Sequence, residues 1–153
     1  MIPPAAVRRK PRPAIGGGRY PPAVLPQDLP GLGIDLVEVA RIRAAIERSG
    51  DTFLARVFTP AEREYCAGRR EPAIHYAARF AAKEAGMKAL GAGFGQSGVG
   101  FQDFELLRDA RGRPRLALHG AAAEIARRRG LRGLRVSITH TNGMAAAVVV
   151  AEA

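Results

Sequence analysis

The chain of 153 residues holds a single cysteine, Cys66. That excludes an internal disulfide framework and any zinc site built on several thiolates, and it suits a reducing cytosol. No apolar run approaches the ~20 residues of a membrane-spanning helix; the best stretch is Met144 to Ala151. The basic N-terminus is broken by prolines and no apolar segment follows it, so it does not read as a secretory signal. Aromatic residues are few, six Phe and three Tyr. They do not interleave with a basic patch, which argues against a nucleic-acid binder. What is present is ordinary for a globular protein: 47% hydrophobic and 25% charged residues, at a length that suits one domain rather than two.

Acidic residues are the other deficit. Lys and Arg number 24 against 14 Asp and Glu, a formal charge of +10. Residues 1–30 carry +4 of it and the rest of the chain +6. Such a surplus favours anionic partners: nucleic acid, phosphorylated small molecules or an acidic protein.

Eight of the eleven prolines lie in residues 1–30, together with the run Gly16-Gly17-Gly18 and almost no apolar periodicity. A segment of that kind buries too little surface to offset its ordering entropy. It predicts a flexible basic extension, followed by one domain over residues 31–153. Within that domain, Gly33 to Val37 reads as a short buried strand entering a helix that runs to about Arg48. Its apolar face is Leu36, Val39, Ile42 and Ile46, and Ser49-Gly50-Asp51 ends it. Thr59-Pro60-Ala61-Glu62 is a helix start with an N-cap threonine, proline at N1 and glutamate closing a capping box. An alanine-rich helix spans Pro72 to Leu90 and stops at Gly91. The string Gly93-Phe94-Gly95-Gln96-Ser97-Gly98 matches GxGxxG, but it follows a helix and precedes a strand, the wrong order for a dinucleotide fingerprint. Strands are expected over Phe101–Arg108, Pro114–Leu118, Val136–Thr139 and Met144–Ala151, with a short helix over Gly120–Arg129. The class is α+β with an antiparallel sheet.

Three places set polar groups among apolar ones. Asp35 lies inside the run Leu32 to Val37, where a carboxylate must be paired, capping or metal-bound. Glu84 shares a helix side with Phe80 and Met87, and Lys88 follows it at the favourable i,i+4 spacing. The pair is either a surface ion pair or a hard-cation ligand beside a phosphate-handling lysine. Gly86, costing about 1 kcal/mol relative to alanine inside a helix, implies that something packs closely there. Ser137-Ile138-Thr139-His140-Thr141, at a strand end, could collect a phosphate, hold a base or simply cap a turn. His75 and His119 read as surface residues.

Four segments appear in order: GIDLVEVARI, FTPAEREYC, RFAAKEAGMKALGAG and SITHTNGMAAAVVVAE. Together they resemble the holo-acyl-carrier-protein synthases, the small single-domain 4′-phosphopantetheinyl transferases, over about Leu32 to Glu152. The resemblance implies that family's fold, with the sheet covered by helices on one side. It implies transfer of the 4′-phosphopantetheine arm of coenzyme A to a serine of apo acyl carrier protein, releasing 3′,5′-ADP, in fatty-acid or polyketide synthesis. The family's Mg²⁺ ligands fall on Asp35 and Glu84, oxygen donors of the kind a hard cation takes. Its lysine that helps deprotonate the serine or holds phosphate falls on Lys88, so Asp35, Glu84 and Lys88 form the expected catalytic set. Arg79, Lys83, His140 and Thr141 are expected to contact the coenzyme, and Arg41 and Arg48 to dock the carrier protein. A cytosolic homotrimer with sites at subunit interfaces is implied, without nucleic acid or membrane as partner.

Overall fold

The computed structural model describes residues 31–153; the extension read over residues 1–30 lies outside the described residues. Strand β1 (Leu32–Glu38) leads directly into helix α1 (Val39–Val57), followed by α2 (Pro60–Ala67) and α3 (Pro72–Leu90). Two short 3₁₀ turns, Gln96–Gly98 and Phe101–Asp103, precede β2 (Phe104–Arg108) and β3 (Pro114–Leu118). Helix α4 (Gly120–Arg128), β4 (Gly133–His140) and β5 (Met144–Glu152) complete the domain. The five strands form one antiparallel sheet in the order β1-β5-β4-β3-β2. This is the expected α+β architecture.

Helix α3 is the centre of the core. Its alanines Ala77, Ala81, Ala82, Ala85 and Ala89 are all but inaccessible. They face the small inward residues of β5, Ala145, Ala147, Val149 and Ala151, so helix and sheet approach closely. The approach is tightest at β1. A Cβ on Gly31 would lie 1.7 Å from the Ala89 carbonyl oxygen, and one on Gly33 1.9 Å from that of Ala85. Only glycine fits at either position, and the contact fixes β1 against α3 where the polar residues of both emerge. Gly86 has a packing reason as well: an added Cβ would stand 2.8 Å from side-chain carbons of both Phe104 and Leu116.

The helix signals perform as read. Thr59 caps α2 and exchanges hydrogen bonds with Glu62, and Gly91 ends α3 at φ 64° in the left-handed region. Two expectations are corrected. Leu36 belongs to β1, not to the apolar face of α1, and points away from the core with 64% exposure. The stop expected at Ser49-Gly50-Asp51 is present as a break: Gly50, at φ 49° and ψ −130°, is not helical, and a second helical stretch with Phe53, Leu54 and Val57 on the core side follows it within α1. The first turn of the anticipated strand from Phe101 is instead 3₁₀, because the Asp103 carboxylate accepts the Gly100 N–H at 2.9 Å.

Candidate functional site

Strand alternation decides where Asp35 points. Gly33, Asp35 and Val37 face α3 while Leu32, Ile34 and Leu36 face outward. Asp35 thus stands at the rim of the β1–α3 contact. From α3, Lys88 reaches across and donates from Nζ to Asp35 Oδ1 and to the Ile34 carbonyl oxygen, both at 2.9 Å. Glu84, one turn earlier, is half-buried. Burial holds its carboxyl above the usual range, the Asp35 charge adds to that push, and Lys88 and Arg41 oppose it. So the structure brings Asp35, Glu84, Lys88 and Arg41 into one electrostatic cluster, drawn from β1, α3 and α1. Two carboxylates in a partly desolvated rim demand positive charge. Their donor set suits a hard cation, whose other positions phosphate and water oxygens would fill. Among the described residues no group of three or more His, Cys, Asp or Glu could hold a metal alone.

Lys83 is not brought to this cluster. Its side chain is 0% exposed and its ammonium sits 2.7 Å from Glu62 Oε2, with further bonds to the Phe101 and Phe104 carbonyl oxygens. Glu62 is occupied in turn, accepting the Leu106 N–H at 2.9 Å and the Thr59 N–H at 3.0 Å. Burial pushes the Lys83 pKa below its ordinary value and the Glu62 charge opposes that. The expectation that Lys83 contacts coenzyme is therefore corrected: this cation ties α3 to α2 and β2 inside the core.

Arg79 takes a middle position. Its guanidinium carbon lies 4.0 Å from the Tyr65 ring centroid, and Arg69 lies at the same distance from that ring. Arg79 is buried, and its Nε has no hydrogen-bond partner among the described residues. Beside it, the rings of His75 and His140 meet edge to face at 5.7 Å. Burial pushes the His75 pKa down, as do the charges of His140, Arg69, Arg79 and Arg108. This cationic corner holds two of the expected coenzyme contacts, Arg79 and His140. It also brings in three residues that the sequence reading did not place there: His75, Tyr65 and Arg69. Thr141 adjoins it in the β4–β5 turn, where its hydroxyl oxygen accepts the Gly143 and Met144 N–H groups.

Arg41 and Arg48 share a third feature. With Ile42, Phe53 and Phe80 they line a cleft of about 300 Å³ where α1 meets Phe80 of α3. Arg41 acts on Glu84 from this cleft, so cleft and carboxylates are neighbours.

A small antiparallel α+β domain with paired carboxylates, an adjoining lysine and a cationic corner has the parts of an enzyme that handles phosphates. Residues 31–148 match the 4′-phosphopantetheinyl transferase superfamily. A holo-[acyl-carrier-protein] synthase of Solidesulfovibrio magneticus is 55% identical over 122 residues, covering 80% of this chain and 97% of that protein. The crystal structure of holo-[acyl-carrier-protein] synthase from Neisseria meningitidis superposes with a TM-score of 0.75 at 31% identity, over 82% of this chain and 99% of the other. That of the Helicobacter pylori synthase in complex with coenzyme A gives 0.69 at 33% identity, over 79% and 99%. The chain belongs to this superfamily, among its holo-[acyl-carrier-protein] synthases.

Proposed function

We propose that this enzyme transfers the 4′-phosphopantetheine arm of coenzyme A to a serine hydroxyl of an apo acyl carrier protein, releasing 3′,5′-ADP. The observation that carries the reading is the convergence of Asp35 and Glu84 from β1 and α3, with Lys88 and Arg41 alongside. Mg²⁺ held by the two carboxylates would neutralise the coenzyme's diphosphate and stabilise the charge that develops at phosphorus. Lys88, which donates to Asp35 and to the Ile34 carbonyl oxygen in the unliganded chain, is the adjoining cation for a phosphate oxygen. Arg79 and Arg69 supply positive charge for the coenzyme's remaining phosphate, His75 and His140 add imidazole groups beside them, and Thr141 holds the turn that presents His140. As the serine oxygen bonds to phosphorus, the phosphorus–oxygen bond to the nucleotide breaks and the hydroxyl proton leaves to solvent.

The carrier protein, being acidic, docks on the cleft between Arg41 and Arg48, whose Phe53 and Phe80 floor accepts an apolar side chain. The outer face of β1 and β5 supports a homotrimer. Leu32, Ile34 and Leu36 are 63–68% exposed, and Val148 and Val150 lie beside them, an apolar face of the kind that subunit contacts cover. Among the described residues no helix is long and apolar enough to cross a membrane. With a single cysteine, the cytosol is the compartment proposed. Incubating the chain with apo carrier protein, coenzyme A and Mg²⁺ tests the reaction: the carrier should gain the mass of one phosphopantetheinyl group. An unmodified carrier overturns the reading.

A further inference from the structure

The reach of Lys88 across to β1 has a bearing of its own. About half of its side chain is exposed, yet the ammonium is drawn back onto the Asp35 carboxylate and the Ile34 carbonyl oxygen. Glu84 stands one turn before Lys88 on the same helix, and both Lys88 and Arg41 favour its charged form. Of these two cations Lys88 is the one seated directly on Asp35.

A hard cation would approach the same Asp35 oxygen to ~2.1 Å. An ammonium 2.9 Å from that oxygen would be left against a doubly charged ion, in the direction from which ligands arrive. We propose that Lys88 is a tethered counter-cation, seated on Asp35 in the resting enzyme and displaced when a divalent ion binds there. Displacement releases the flexible four-carbon stem to carry its charge to the incoming coenzyme's phosphate. One residue then serves in both states, and it delivers its charge to the phosphate only once the carboxylates have their metal. This inference rests on the assignment of Asp35 and Glu84 as metal ligands.

Direct Mn²⁺ binding to the full-length chain, followed by electron paramagnetic resonance without coenzyme, separates the two ideas. Lys88→Met and Lys88→Gln should each bind Mn²⁺ about fivefold more tightly than the wild type, the factor set by an exposed ion pair. Glu84→Gln should bind it at least tenfold more weakly. Without metal, Lys88→Met should melt at a lower temperature than wild type, and saturating Mn²⁺ should remove the difference. If Lys88→Met binds Mn²⁺ no more tightly than wild type while Glu84→Gln still loses it, the metal assignment stands and the counter-cation role is wrong. If the wild type binds no Mn²⁺ with or without coenzyme A, both fall.

Discussion

Gly33 lies against Ala85 so closely that a Cβ on the glycine would stand 1.9 Å from the alanine's carbonyl oxygen. Asp35 is two residues along the same strand, on the same face. Gly33→Ala must therefore push β1 off α3 and carry Asp35 away from Glu84 and Lys88. We expect the stability to fall by about 1–3 kcal/mol, as for overpacking of a close contact, and turnover to fall further than the loss of folded protein explains. Denaturant unfolding and turnover per folded molecule are the measurements. Unchanged turnover would show that Asp35 needs no such anchoring.

Loss of either carboxylate proposed to hold the metal should stop the reaction without unfolding the domain. Glu84→Ala leaves the diphosphate charge poorly neutralised, worth several kcal/mol in the transition state. Because burial and Asp35 already disfavour the Glu84 carboxylate, removing it should cost the fold little. Near-normal turnover at saturating Mg²⁺ sinks the assignment.

The buried pair gives the opposite pattern. Lys83→Met leaves Glu62 as an uncompensated buried charge and should destabilise the domain by about 3–5 kcal/mol. Combining it with Glu62→Gln removes the charge and keeps one acceptor oxygen, enough for either the Thr59 or the Leu106 N–H, which bond to Oε2 and Oε1 of the glutamate. The double variant should regain part of the stability and show an unchanged KM for coenzyme A. A raised KM in the refolded double variant would return Lys83 to the coenzyme site.

Arg48→Ala should raise the KM for carrier protein, flatten its salt dependence and leave the KM for coenzyme A alone, since rim charges act through encounter rate. Arg41→Ala should do the same and also lower turnover, because Arg41 acts on Glu84. If coenzyme A binding suffers and carrier kinetics do not, the cleft faces the nucleotide.

Removal of residues 1–30 should leave turnover and oligomeric state nearly unchanged, since the superfamily match begins at residue 31. Size-exclusion chromatography and the mass-gain assay check both. A large drop in turnover or dissociation of the oligomer would show that the segment contributes to the domain.

The bounds of α3 were legible because both ends carry local signals, proline at the start and glycine in the left-handed region at the end. Leu36 was misplaced for a physical reason. Steps of three to Val39 and Ile42 look helical even when the first residue is still in a strand. Lys83 and Lys88 sit on one helix, and nothing local says which one is inside. That is settled by Glu62, which α2 presents 21 residues earlier. The meeting of His75 with His140 was equally hidden, since their 65-residue separation is closed only when α3 packs on β4 and β5. Asp35, Glu84 and Lys88 were legible through their motifs rather than their spacing, and the fold supplies the reason they meet.

Strand β1 turns Asp35 toward α3 and Leu32, Ile34 and Leu36 toward the outside. A seven-residue ribbon with an acid on one side and a greasy ridge on the other transmits any pressure between them. Whatever lies over that ridge becomes the wall behind the carboxylate.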